Sequence, residues 1–255
     1  MAHIFDLVLL RRGCSQCLLR QLCLPAGIDA AELSRLDDIV KRRRTVQPGE
    51  RLFRPGDSLQ AVYVARDGAF KTISTSEEGE EQIMGFHLPG ELMGLDALGS
   101  GAHRCEAVAL TSANVCEVPF DDLTGIAAEV PTLQQQLLRI IGQCVDRDHD
   151  HMELLAKRQA NERIALFLHG LGERLRHVGL SPTDIRLPMS REDIASFLGL
   201  ALETVSRGFG RLQDDEVIAV HGRRVKILDM DELLRLAQHG QESPPPQARA
   251  RRIAR

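Results

Sequence analysis

The stretch SREDIASFLGLALETVSRGFGRLQ, residues 190–213, carries two short helical patterns broken by a glycine. Ser190 and Asp193 stand three apart, the spacing at which a hydroxyl and a carboxylate cap a first helical turn reciprocally. Ala195 is small enough for two helices to cross over it, and Gly199, four residues on, permits the tight turn between them. Ile194, Leu198, Leu200 and Val205 supply the shared apolar face. These features predict a helix-turn-helix, whose second helix enters the major groove of double-stranded DNA by its N-terminal residues. Glu203, Ser206 and Arg207 lie at i, i+3 and i+4 and share one face of that helix. Arg207 has the two donors that guanine accepts, Glu203 can accept from a cytosine amino group, and Ser206 suits bases or phosphate. The bland alternative is a solvated face with an internal Glu203–Arg207 pair. Arg211, one turn further, is placed for phosphate.

Working outward, VIAVHGRRVKILD (217–229) reads as a hairpin with His221-Gly222 at its turn, a wing offering Arg223, Arg224 and Lys226 to the duplex backbone. On the other side, NERIALFLHGLGERLRHVG (161–179) is helical. Before it a long helix opens at Pro131, a residue suited to a first turn. Leu138, Ile141, Val145, Asp148, Met152 and Leu155 then alternate at spacings of three and four, a heptad seam that predicts a two-stranded coiled coil and a homodimer. A lone helix packed on its own domain is the alternative. Facing Asp148 carboxylates would repel across such a seam and make association marginal and switchable, unless Asp148 lies just off it.

Between Thr45 and Phe120 the period changes. The runs RLF, AVYVA, FKTIST, QIMGFH, CEAVAL and NVCEVPF are separated by PGE, PGD, RDG, EEG, LPGE and GSG. Short strands with regularly spaced glycine turns predict a compact antiparallel β-roll. DAAELSRLDDIVKRRR (29–44) precedes it as an amphipathic helix, with Asp29 as N-cap and Leu33, Leu36, Ile39 and Val40 at helical spacing. The fold class is therefore α+β, with an N-terminal β-roll sensor domain, a long dimerisation helix and a C-terminal winged helix-turn-helix. Expected boundaries are a cysteine-rich segment over 1–30, the β-roll over 31–128, the helix over 129–158, the DNA-binding domain over 159–240 and a Pro-rich, basic, disordered tail over 241–255.

The N-terminal CSQCLLRQLC places Cys14, Cys17 and Cys23 within ten residues. That Cys-x2-Cys-x5-Cys run is a poor match to paired structural zinc motifs and a better one to an iron-sulfur ligand set, which combines a close-spaced run with one remote thiolate. Cys116, among Val115, Val118 and Phe120, is the best fourth candidate, with Cys105 and Cys144 as alternatives; Cys144 also falls on an apolar helical stripe where packing explains it.

Composition sets the outer limits. The chain has 255 residues, enough for about two domains, and 43% hydrophobic residues. No apolar run approaches the ~20 residues of a membrane span. In HIFDLVLLRRGC the arginines follow the apolar stretch and Asp6 interrupts it, so no export signal fits; the expectation is a cytoplasmic protein with reduced thiols and no membrane partner. The net charge is −4, yet Lys157 to Lys226 holds twelve Lys/Arg against nine Asp/Glu, a local +3. Charge alone does not establish nucleic-acid binding. No P-loop, nucleophile elbow or zinc-hydrolase motif is present, so an enzyme is not expected.

The order of parts, together with CxxCxxxxxC, GEEQIMGFHLPGELMGLDALGSG, VCEVPF, NERIALFLHGL, MSREDIASFLGLALETVSR and VKILD, resembles the CRP/FNR superfamily, and within it the FNR-type oxygen-sensing regulators. The resemblance covers about residues 14–238. It implies a 4Fe-4S cluster on Cys14, Cys17, Cys23 and Cys116, converted by oxygen to a 2Fe-2S form with loss of dimer and DNA. It also implies a TTGAT inverted repeat read by Glu203, Ser206 and Arg207, and an RNA polymerase contact around Glu77, Gly79 and Glu80. Leu18 stands where such proteins often carry a small polar residue, which suggests slower cluster oxidation. Cyclic-nucleotide sites in the superfamily use a Gly-Glu-Leu turn and an Arg-Ser or Arg-Thr pair. Here GLDALGSGAHRC keeps Arg104 but has Leu95 and Cys105 at the other positions, so no cyclic nucleotide is expected. The rival reading is a regulator of the same fold that responds to thiol oxidation or a small effector without a cluster.

Overall fold

The computed structural model describes residues 13–40, 42–157 and 159–239; the basic tail and the first twelve residues lie outside them. Helix α1 (Ala30–Ile39) starts at Asp29, whose carboxylate accepts from the backbone of Ala31 and Glu32, both at 2.9 Å. Its Leu33 and Leu36 are buried, as helical spacing requires. Eight strands follow: β1 (Arg42–Val46), β2 (Arg51–Phe53), β3 (Ala61–Ala65), β4 (Phe70–Thr75), β5 (Glu81–His87), β6 (Leu92–Met93), β7 (Glu106–Ala109) and β8 (Ala113–Pro119). They form two antiparallel sheets, ordered β1-β8-β3-β6 and β2-β7-β4-β5. The six runs expected from sequence are all strands; β1 begins earlier than Thr45, and β6 is too short to announce itself by alternation.

The two-residue period of the strands sorts side chains between layers. On β3 and β8, Ala65 and Val115 point into the space between the sheets with Phe53, Phe70 and Met93. Val62, Val64 and Val118 point the other way, into a core completed by Leu24, Ile28, Leu33, Leu36, Leu133 and Ile140. The cysteine segment thus shares a core with the β-roll.

Helix α2 (Phe120–Glu129) follows β8 directly and was not expected from sequence, although Leu123 and Ala127 are buried at helical spacing. Helix α3 (Pro131–Ala156) is 26 residues long with Pro131 at its first turn. The C-terminal domain contains α4 (Ala160–His177), β9 (Asp184–Arg186), α5 (Arg191–Leu198), α6 (Leu202–Asp214), β10 (Ile218–His221), β11 (Arg224–Ile227) and α7 (Met230–His239). The sheet runs β10-β11-β9. Helix α7, also unexpected, buries Leu233, Leu236 and Ala237.

The second sheet of the roll is in turn covered by this domain. Ile73, Ile83, Phe86 and Val108 belong to one core with Phe167, Leu168, Ile194 and Leu198. Phe197 of α5 lies 5.1 Å from Phe86 and stacks on His151 of α3 at 4.0 Å. Lys71 of β4 pairs with Asp193 at 2.6 Å, and Ser196 accepts from the backbone of Ile83 at 3.0 Å. Glu91, beyond β5, takes a two-pronged bond from Arg174 of α4, 2.9 and 2.6 Å, with Arg147 of α3 at 3.8 Å.

Candidate metal centre and nucleic-acid interface

The cysteine segment is a chain of tight turns. Cys14 opens a 3-10 turn over Cys14–Gln16, and its backbone N–H donates to Asp37 of α1 at 3.1 Å. Successive backbone bonds, Arg20 to Cys17, Cys23 to Leu19 and Ala26 to Cys23, wind the segment inward. Cys116 arrives from the opposite side. It pairs with Val64 across β3 and β8 and stands two residues from Val118, so the strand period turns it towards the helices. Cys14, Cys17, Cys23 and Cys116 line one cavity with Leu19, Leu24, Pro25, Leu36, Val40, Val64, Arg66 and Val118.

The other two cysteines are elsewhere. Cys105 is buried between the two sheets, its thiol donating to Asp96 at 3.3 Å. Burial, followed by the charge of Asp96, pushes that thiol up and keeps it protonated. Cys144 packs on the inner side of α3, where Arg147 donates to its sulfur at 3.0 Å. None of the six is in a disulfide.

The donor set fits an iron-sulfur cluster. The lining offers four soft sulfurs and no carboxylate or imidazole. Burial pushes the Cys23 thiol well up, and the neighbouring sulfurs of Cys116, Cys14 and Cys17 push in the same direction. Such thiols become anionic only against a compensating positive charge, which a bound metal group supplies. Among the described residues no three His, Cys, Asp or Glu side chains converge tightly enough to hold a metal ion.

Along α3 the expected seam is solvent-facing. Leu138, Val145, Met152 and Leu155 are exposed, Leu138 at 64% and Met152 at 58%, with Asp148 among them and Ile141 half-buried. The inner face, Leu133, Gln136, Ile140 and Leu154, is buried. One face of the helix packs on its own domain, and the face bearing the expected seam is an apolar stripe without cover in the single chain.

In the C-terminal domain the Ser190–Asp193 capping box is formed in both directions, and Gly199 ends α5 with φ +60°, a backbone shape that favours glycine. Gly208 lets α6 press on α4, because a Cβ there would meet Ile164 at 2.3 Å. Val205, Phe209 and Leu212 are buried. On the outer face Glu203, Ser206, Arg207 and Arg211 are exposed, and among the described residues no side-chain hydrogen bond or ion pair engages their side chains. The internal Glu203–Arg207 pair is not made.

The wing differs from expectation in two respects. Its turn is Gly222-Arg223, not His221-Gly222, since His221 still pairs with Arg224. Arg224 is held by Asp184 through two bonds, at 2.7 and 2.5 Å, and Arg223 donates to the Pro188 carbonyl at 3.1 Å. Lys226 is exposed without such a tie among the described residues.

The region matching a cyclic-nucleotide turn is tied together by a ring stack and a shared carboxylate. His103 stacks on Phe53 at 3.8 Å and shares a hydrogen bond with Asp96. Asp96 also accepts from the backbone of Arg104 and Cys105, while the Arg104 side chain faces solvent. At the β4–β5 tip the Ser76 hydroxyl accepts from the backbone of Glu78 and Glu80, and Gly79 has φ +84°. This turn presents Glu77, Gly79 and Glu80 to solvent.

A β-roll joined by a long helix to a winged helix-turn-helix defines a class of DNA-binding regulator. Residues 162–236 match the Crp-like helix-turn-helix domain family and residues 43–129 the cyclic nucleotide-binding domain family. The chain is 47% identical to the transcriptional activator protein Anr of Pseudomonas protegens, over 88% of this chain and 92% of that one. It is 42% identical to the fumarate and nitrate reduction regulatory protein of Escherichia coli, over 89% and 90%. The solved structure of FixK2 from Bradyrhizobium japonicum superposes with a TM-score of 0.70 at 30% identity, covering 76% of this chain and 96% of that one. The chain belongs to the CRP/FNR family of transcription regulators, alongside its FNR and Anr members. It is a regulator, not an enzyme, and its fold implies DNA binding and dimerisation. No helix among the described residues is long and apolar enough to cross a membrane.

Proposed function

We propose that the chain is an oxygen-responsive transcription activator holding a 4Fe-4S cluster on Cys14, Cys17, Cys23 and Cys116. When bound, the cluster supplies the oxygen-reactive centre. The observation that carries this reading is that those four cysteines, from two distant parts of the chain, line one apolar cavity. Cys14, Cys23 and Cys116 also pack in the same core as Leu137, Ile140 and Cys144 of α3, so a change at the cysteines reaches the helix that bears the dimer stripe. Leu138, Ile141, Val145, Asp148, Met152 and Leu155 form the homodimer contact. The two copies of α6 then read a TTGAT inverted repeat, with Glu203, Ser206 and Arg207 on base edges and Arg211 on phosphate. The acidic β4–β5 turn, Glu77, Gly79 and Glu80, meets RNA polymerase. Leu95 and Cys105, at positions where cyclic-nucleotide sites of the family carry a carboxylate and a hydroxyl, support a protein that takes no cyclic nucleotide. It acts in the cytoplasm, the compartment in which thiols stay reduced and a DNA target is reached.

The test is iron and acid-labile sulfide per monomer in protein purified without oxygen. About four of each, falling in air together with DNA binding, is expected. DNA binding without either would move the reading to a thiol switch or a small-molecule effector.

Two further results follow from the site. Asp148→Ala removes a like-charge pair from the stripe and should tighten dimerisation of the cluster-free chain at least about tenfold. Sedimentation showing an unchanged monomer would remove that role. Leu18, expected from sequence to shield the cluster, is 94% exposed and does not line the cavity; Leu19 does. Leu19→Ala should therefore speed oxygen-driven loss of the cluster's visible absorption more than Leu18→Ser does. The reverse order would return the shielding to Leu18.

A further inference from the structure

Gln136 is an anomaly on α3. The buried face of that helix is otherwise built from Leu133, Ile140 and Leu154, yet Gln136 stands among them with 6% of its surface exposed. A carboxamide so placed costs free energy unless it is hydrogen-bonded. Its Nε2 donates to the carbonyl oxygen of Cys23 at 3.1 Å, and that oxygen also accepts from Ala26 at 3.0 Å. Both lone pairs of the Cys23 carbonyl are thus used, one inside the cysteine segment and one on the dimer helix.

We propose that Gln136 is a positioning residue that ties the backbone of Cys23 to α3 and so passes the state of the cysteine loop to the dimer stripe. The proposal rests on the reading of Cys23 as a cluster ligand. A hydrogen bond is directional, whereas the apolar contacts around it, Leu137 and Ile140 against the cysteine segment, tolerate sliding. An α-helix turns by a fixed angle per residue, so a bond at 136 sets the rotation of Leu138, Ile141 and Val145 on the same rigid rod. Cys14, Cys17 and Cys23 would hold the cluster by their sulfurs, and any shift of the Cys23 backbone on ligation would act on the Gln136 bond. The Gln136 bond carries that shift into α3.

The experiment uses the full chain with Gln136→Met, which keeps length and apolar packing but has no donor. Dimer dissociation constants are measured by sedimentation for cluster-loaded and cluster-free protein. The expected result is unchanged iron content, with the ratio of the two constants falling about tenfold towards one, the strength of a single hydrogen bond. A purely structural role would move both constants together and leave the ratio intact, which overturns the proposal. Loss of iron in the variant also overturns it, because Gln136 would then be a prop of the ligand loop. A second measurement is independent of the cluster. In metal-free protein, amide hydrogen exchange over residues 22–28 should quicken in Gln136→Met and stay as in wild type in Gln135→Met, whose side chain is exposed. If wild type holds no iron, the cluster reading fails. Faster exchange still establishes the tie in that case, and unchanged exchange rejects it.

Discussion

Cys116→Ser is expected to lower iron from about four to below one per monomer and to abolish DNA binding without oxygen, while Cys105→Ser keeps both. The two cysteines are eleven residues apart on the same roll, and their difference is one of face. Cys116 shares its side of β8 with Val118 and meets the cysteine segment. Cys105 lies between the sheets, bonded to Asp96, with the sheet that carries Cys116 between it and the cavity. Serine at 116 replaces a soft donor by a hard, weakly acidic hydroxyl on an apolar wall and leaves three ligands for four sites. Serine at 105 keeps the bond to Asp96. Iron and sulfide analysis of the two variants, purified in parallel, checks the assignment. Cluster loss from Cys105→Ser and retention by Cys116→Ser would overturn it.

The second large effect is on stability. Glu91 is 15% exposed and binds Arg174 of α4 and Arg147 of α3, so one carboxylate joins the β-roll, the dimer helix and the DNA-binding domain. Glu91→Ala leaves both arginines without it. Breaking a buried pair in this way costs about 3 kcal/mol, the low end of the usual range, because the arginines stay 26% and 31% exposed. The guanidinium midpoint should fall accordingly, and Arg174→Ala should add much less on top of Glu91→Ala than alone. An unchanged midpoint would show that the network contributes nothing.

The same interface weakens in acid. Burial would raise the Glu91 carboxyl, but the charge and hydrogen bonds of Arg174, with Arg147, outweigh it and hold it at about 2. Its contribution is therefore complete above the ordinary carboxylate range near 4.5 and is lost as pH falls towards 2. Burial lowers His87 to about 4, with Glu91 opposing and the arginines assisting. The unfolded chain takes up that proton first, so stability also declines as pH falls from about 6.5 to 4. Both groups act in one direction, and Glu91→Gln should flatten the lower part of the pH profile.

Much of the DNA-binding half is legible in the amino-acid sequence. The capping box at Ser190 and the glycine at 199 are local chemistry, and they place α5, the turn and α6 correctly. The glycine-punctuated runs place six strands for the same reason. Helices α2 and α7 escape a sequence reading because each is ten residues long and takes its stability from packing, Leu123 on one core and Leu233 and Leu236 on another. The wing cations look alike in sequence, yet Arg224 finds Asp184, forty residues away, across the sheet.

By itself, then, the sequence determined what depends on neighbours along the chain: caps, turns, strand alternation, the three-and-four spacing of the α3 stripe and the cluster of three cysteines near the N-terminus. Tertiary structure alone decided what depends on the side of an element that meets another. It put Cys116 on the cavity and Cys105 between the sheets, turned Leu19 inward and Leu18 outward, and set Gln136 against the Cys23 carbonyl. The physical reason is that a side chain's periodic position is local, whereas the partner it buries against is chosen by the packing of the whole chain.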